Sequence, residues 1–79
     1  MLIGVWRKSN KTRPTFKEVR WDNTKGANSV SVVFDGAKWR VWEHDIYGYS
    51  EEIGDLKGYD SKKKAMDVAS EYMKNNPEG

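Results

Sequence analysis

The 79 residues include no cysteine, which excludes disulfide frameworks and thiolate metal sites. The one histidine, His44, leaves any transition-metal site dependent on carboxylates gathered from elsewhere. No apolar run approaches the ~18 residues that a membrane-spanning helix requires. The opening segment, Met1 to Lys8, is too short for a signal peptide and has no small-residue cleavage site. A cytoplasmic protein without membrane contact is therefore expected. Charge of one sign is scarce as well: 14 Lys and Arg stand against 12 Asp and Glu, a formal +2. With 37% hydrophobic residues, that near balance excludes a disordered polyelectrolyte. The marks of catalysis are also missing. The sequence has no nucleophile with a recognisable base, no glycine-rich phosphate loop and no paired-carboxylate pattern, so it implies neither an enzyme nor a cofactor.

Aromatics, in contrast, are plentiful: 4 Trp, 4 Tyr and 2 Phe. A chain of this length forms one small domain, read here as residues 1–79, and it must build its core from side chains alone. Each aromatic can bury about 150–250 Å². That offsets an ordering entropy of at least ~1 kcal/mol per residue. Most of the aromatics are therefore expected in the core, and any left outside it point to binding.

The first three-quarters of the chain reads as strands. Leu2 to Arg7 is short, apolar and rich in β-formers. The polar stretch Lys8 to Pro14 is a turn region. Thr15 to Trp21 follows, with Val19 and Trp21 on one face and Phe16, Glu18 and Arg20 on the other. After a second polar turn, Asp22 to Asn28, the segment Ser29 to Phe34 alternates most clearly, with Val30, Val32 and Phe34 on one side. Asp35-Gly36 is a hairpin signal. Lys38 to His44 returns, with Trp39 and Val41 facing as Val32 does and Arg40, Trp42 and His44 facing the opposite way. Asp45 to Gly58 reads as a loop followed by a glycine-interrupted edge strand at Glu52 to Leu56. Ala65, Val68, Ala69, Tyr72 and Met73 form the apolar stripe of a helix over Ser61 to Asn75. Asp60 or Ser61 caps its start, and Asn75-Asn76-Pro77 stops it. The expected fold is α+β: an antiparallel β-sheet of three to five strands packed on one C-terminal α-helix, with one sheet face open.

Charge is segregated along this plan. Residues 1–40 carry nine Lys or Arg against three acids, while residues 41–79 carry five against nine. A basic half points to an anionic partner. Lys62, Lys63 and Lys64 sit at the start of the helix, where aligned peptide dipoles already place partial positive charge. Stability alone favours acids there, and free amides beside cations are what a phosphate needs. Basic and aromatic residues are also interleaved, in Trp6-Arg7-Lys8, Arg20-Trp21, Lys38-Trp39-Arg40 and Trp42. An open face of that kind can neutralise phosphates and stack on bases. Structural alternation, with Trp inward and Arg outward, explains the same pattern better for Trp21 and Trp39 than for Trp42, which this register puts outside.

The run Ser61-Lys62-Lys63-x-Ala65, with Ala69, resembles the start of the second helix of double-stranded-RNA-binding domains. That resemblance implies phosphate contacts by Lys62 and Lys63. The opening segment does not read as that family's first helix. Tyr59-Asp60-Ser61-x-x-x-Ala65, after strands bearing Trp and Arg, is similar to APETALA2-type and phage-integrase arm-type DNA-binding domains. In those, sheet residues enter the major groove, and the nearest counterparts here are Trp39, Arg40 and Trp42.

The sequence thus points to a non-catalytic nucleic-acid-binding domain, for DNA or RNA. Its candidate contacts are Lys62, Lys63, Lys64, Arg40, Trp42, Arg7, Arg13 and Arg20. The alternative is a protein-interaction module or homodimer that pairs through a sheet edge or face. Glu43-His44-Asp45 invites a metal reading, but neighbouring strand residues point to opposite sides and converge poorly.

Overall fold

The structure is a computed structural model and describes residues 6–9 and 17–79. Among these residues five strands, β1 (Trp6–Lys8), β2 (Val19–Asn23), β3 (Ser29–Phe34), β4 (Trp39–His44) and β5 (Ser50–Glu52), precede one helix, α1 (Lys62–Asn75). Each strand pairs antiparallel with its neighbour in sequence, in the order β1-β2-β3-β4-β5, and the helix covers one face of this open sheet. The α+β architecture expected from the alternation and the single amphipathic stripe is the one observed.

Residues directly opposite in a ladder point to the same side. Val32 lies between Val19 and Val41, Val30 between Trp21 and Glu43, and Phe34 faces Trp39. This is the helix side. Its core consists of Trp6, Val30, Val32, Val41, Ala65, Ala69 and Met73, flanked by Trp21, Trp39, Ile53, Tyr59, Met66, Val68 and Tyr72. Ala65 and Ala69, both fully buried, are small enough to let α1 lie close on the valines. Burying each larger side chain contributes about 1.5–3 kcal/mol. The other side carries Arg7, Arg20, Asp22, Ser29, Ser31, Val33, Arg40, Trp42, His44, Ser50 and Glu52.

Three turns share one device. Asn23, Asp35 and Asp45 each end or follow a strand, and the side-chain oxygen of each accepts two backbone amides. Asn23 takes those of Lys25 and Gly26, Asp35 those of Ala37 and Lys38, and Asp45 those of Tyr47 and Tyr49. In such turns the side-chain oxygen takes the place of a backbone acceptor and fixes the reversal locally.

The segment boundaries need four corrections. Asp35 ties Lys38 into the turn, so β4 begins at Trp39. β2 runs on to Asn23. β1 extends to Lys8, whereas Leu2–Val5 lie outside the described residues, as do Asn10–Pro14, Thr15 and Phe16. The last strand is Ser50–Glu52, not Glu52–Leu56, because Asp45 closes a tight turn that lets pairing resume at Ser50. Pairing persists to Ile53, whose amide donates to the Val41 carbonyl. At Gly54 the backbone swings to φ +84°, and the chain then loops back so that Tyr59 bridges Trp39.

Ser61 caps α1, its hydroxyl accepting from the Lys64 amide at 3.2 Å. At the far end the chain is fastened to the first strands. Trp6 Nε1 donates to the Asn76 carbonyl at 2.9 Å and Asn23 Nδ2 to the Pro77 carbonyl at 3.1 Å.

Candidate nucleic-acid interface

Ser61 fixes where α1 begins, and the Trp39–Tyr59 bridge fixes that start against the first residue of β4. The first turn contains Lys62, Lys63 and Lys64 and no acid. All three lysines are exposed. Lys62 Nζ lies 5.8 Å from the centre of the Trp39 ring. That ring tilts against Phe34, with centroids 5.2 Å apart, and Lys17 Nζ sits 5.4 Å from the Phe34 centroid. Two ammonium groups thus stand over two touching aromatic rings, where the ring quadrupoles favour them.

Lys38 joins this end of the molecule through an ion pair with Asp60. The Lys38 hydrogen bond, with the Lys38 and Lys64 charges, holds the Asp60 carboxyl below its ordinary value. Lys63 reaches Asp67 one turn along the helix, at 3.7 Å between two well-exposed groups. Exposed pairs of this kind stabilise little. Lys17, Lys62 and Lys64 make no ion pair among the described residues. Five lysines therefore cluster at one end, two of them beside carboxylates and three without.

The arginines named from the sequence lie elsewhere. Arg7, Arg20, Arg40 and Trp42 are on the face turned away from α1, so the lysines and arginines do not form one sheet-face surface. Arg13 lies outside the described residues. Arg40 is bound by carboxylates on both sides, Asp35 and, at 2.9 Å, Glu52, and it also donates to the Leu56 carbonyl. The Arg40 hydrogen bond, followed by the amides of Lys38 and Ala37, pulls the Asp35 carboxyl far below the usual carboxylate range. Arg20 holds Asp22 and the Ser29 hydroxyl. Trp42, on this outer face, is half-buried between Ser31 and Glu52. His44 sits between two hydroxyls, Ser31 at Nε2 and Ser50 at Nδ1, each at 2.7 Å. Burial and then the Arg20 charge push its pKa below 6.5.

The metal reading of Glu43-His44-Asp45 has no geometry behind it. Glu43 is on the helix side, His44 on the outer side, and Asp45 is occupied by turn amides. Among the described residues, no three acidic or histidine side chains gather to hold a metal ion.

Sequence reasoning named the three helix lysines and noted Lys38 and Trp39 only as part of an interleaved strand, missing Lys17, Phe34 and the placing of all four residues beside the helix start. The register was the available signal. Phe34 and Trp39 flank the Asp35-Gly36 turn on the helix side, and the helix must start near that turn if its stripe is to reach Val32 and Val30. No helix among the described residues is long and apolar enough to cross a membrane. Comparison with protein-family models, with curated proteins and with solved structures gives no match to this chain.

Proposed function

We propose that this protein binds nucleic acid, in a role without chemistry, through the lysines at the start of α1 and the aromatic-backed end of the sheet. One observation carries the reading: three exposed lysines fill a first helical turn with no acid, Lys62 over the Trp39 ring, while Lys17 stands over the Phe34 ring packed against it and Lys38 pairs with Asp60 just before the helix. Positive charge at a helix N-terminus opposes the helix dipole, at a cost of ~0.3–1 kcal/mol per group near the end before salt screening. A phosphate backbone relieves that conflict and draws on the free first-turn amides as well. Trp39 and Phe34 supply flat apolar surface beside the ammonium groups, which suits a sugar or base next to the phosphates. Arg7, Arg20, Arg40 and Trp42 are secondary in this reading, because Arg20 and Arg40 already hold carboxylates and the whole set faces the other way.

A second reading, two copies pairing through the sheet, rests on the outer strands β1 and β5, each with one strand neighbour among the described residues. Exposed Arg7 and Lys8 on β1 and Glu51 on β5 are the charges that discourage such pairing between like edges, so nucleic acid is the preferred partner. The test is fluorescence anisotropy with labelled single- and double-stranded DNA and RNA at low salt. Binding that is weakened in the Lys62→Gln/Lys64→Gln variant supports the proposal. Failure to bind any of the four probes removes it.

A further inference from the structure

We propose that the tip of the β4–β5 hairpin is a docking site for a protein partner whose surface carries arginine or lysine beside apolar groups. Ile46, Tyr47 and Tyr49 are 60%, 79% and 75% exposed and lie within one turn, outside the core. The turn that presents them is fixed. The Asp45 carboxylate accepts the Tyr47 and Tyr49 amides at 2.9 Å each, the Asp45 amide donates to the Tyr49 carbonyl at 2.9 Å, and Gly48 supplies the reversal at φ +90°. A preformed backbone lowers the ordering cost of association. Tyrosine adds large amphipathic area with only two side-chain torsions to fix.

Charge selects the occupant. From Val41 to Glu51, the tip and the strand residues beside it, the chain carries Glu43, Asp45 and Glu51, with no Lys or Arg; Glu52, one residue on, is already held by Arg40. Glu43 and Glu51 are directly paired across the strands, a like-charge juxtaposition that costs stability. Their field is felt locally: burial first, then the Glu43 and Glu51 charges, raise the Tyr72 hydroxyl above its ordinary value. A negative neighbourhood repels phosphates and anionic lipid, so exposed tyrosines here do not serve the nucleic-acid surface. They suit guanidinium and ammonium groups, which bind the faces of aromatic rings. β4 runs from Trp39, beside the helix start, to His44, beside this tip, so the two surfaces occupy opposite ends of one strand. The site stands independently of the nucleic-acid reading.

The test uses fluorescein-labelled peptides of alternating arginine and leucine, lysine and leucine, or glutamate and leucine, titrated with the whole chain. The arginine peptide should bind best and the glutamate peptide not at all. Tyr47→Ala/Tyr49→Ala should weaken arginine-peptide binding about fivefold, the combined effect of two exposed cation–aromatic contacts. Both positions are exposed, and circular dichroism checks that the variant is folded. Lys62→Gln/Lys64→Gln should leave peptide binding unchanged, which separates this site from the other. Three results overturn the proposal: no binding of the arginine peptide, equal binding by the tyrosine variant, or loss of nucleic-acid or lipid-vesicle binding in the tyrosine variant in place of peptide binding.

Discussion

Salt dependence gives the sharpest test of the lysine cluster, because the structure specifies how many charges are available. Lys38 and Lys63 already face Asp60 and Asp67, leaving Lys17, Lys62 and Lys64 to meet phosphates. Each phosphate neutralised on duplex DNA releases counterions and contributes about −0.9 to the slope of log K against log salt, so three lysines give a slope of about −2.7. Raising salt from about 50 to 200 mM should then weaken binding ~40-fold. In Lys62→Gln/Lys64→Gln one contact remains, the slope should flatten to about −0.9, and the same change in salt should cost only ~3–4-fold. Anisotropy titrations of a labelled duplex at four or five salt concentrations measure both slopes. The variant should stay folded, its melting temperature shifting by about 3 °C or less, since losing the Lys62–Trp39 contact offsets relief of the dipole conflict. A wild-type slope near zero, or one unchanged by the double substitution, would refute the reasoning. A much steeper slope would show that the paired lysines or the outer-face arginines also reach phosphates.

The loop that sets the helix start can be tested at Gly54. A Cβ there would run into the Tyr59 hydroxyl and lie 3.2 Å from Val68, at a backbone φ of +84°. Tyr59 Oη accepts the Asp55 amide at 2.8 Å, so moving the ring also breaks that bond. Gly54→Ala should cost about 2–3 kcal/mol, from left-handed strain plus one hydrogen bond. Gly36→Ala, at φ +100° with nothing within 4 Å, should cost about 1–2 kcal/mol, the strain alone. Equal losses for the two in urea titration would show that Tyr59 yields freely. His44 makes stability depend on pH. Its folded-state pKa lies below 6.5, so the unfolded chain takes up the proton first and stability falls as pH drops through 6.5, levelling off once the folded form is protonated too. Melting temperatures of wild type and His44→Gln between about pH 5 and 8 should diverge in that window. An imidazole titrating at or above 6.5 by nuclear magnetic resonance would contradict this.

The elements that could be read from the sequence were those where local pattern and burial agree. Val30, Val32 and Phe34 alternate without interruption, and β3 has the bounds the pattern implies. Ser61 precedes a regular apolar stripe and caps the helix. β5 was misplaced because its position depends on Asp45 gathering the Tyr47 and Tyr49 amides, an interaction that alternation does not encode. The division of cations between two layers was equally hidden. Arg40 and Trp39 are adjacent in sequence yet belong to opposite faces, and only the register shows that Lys62 meets Trp39 while Arg40 turns away to Asp35 and Glu52. The neutralisation of Arg40 also needed three dimensions, since Glu52 becomes its neighbour only when β5 pairs with β4.

The indole of Trp6 bonds to a carbonyl 70 positions away, whereas among the described residues each pairing of the five strands joins neighbours in sequence. A ribbon of hairpins is thereby closed into a loop, in which the margin built from β1 is secured from within by β2 and from without by the segment that leaves α1. Such a margin does not fray by itself. Any fluctuation that lifts the end of the helix also releases the first strand, so amide protons of β1 and of the last helical turn should exchange with solvent as one cooperative unit, slower than the β5 margin.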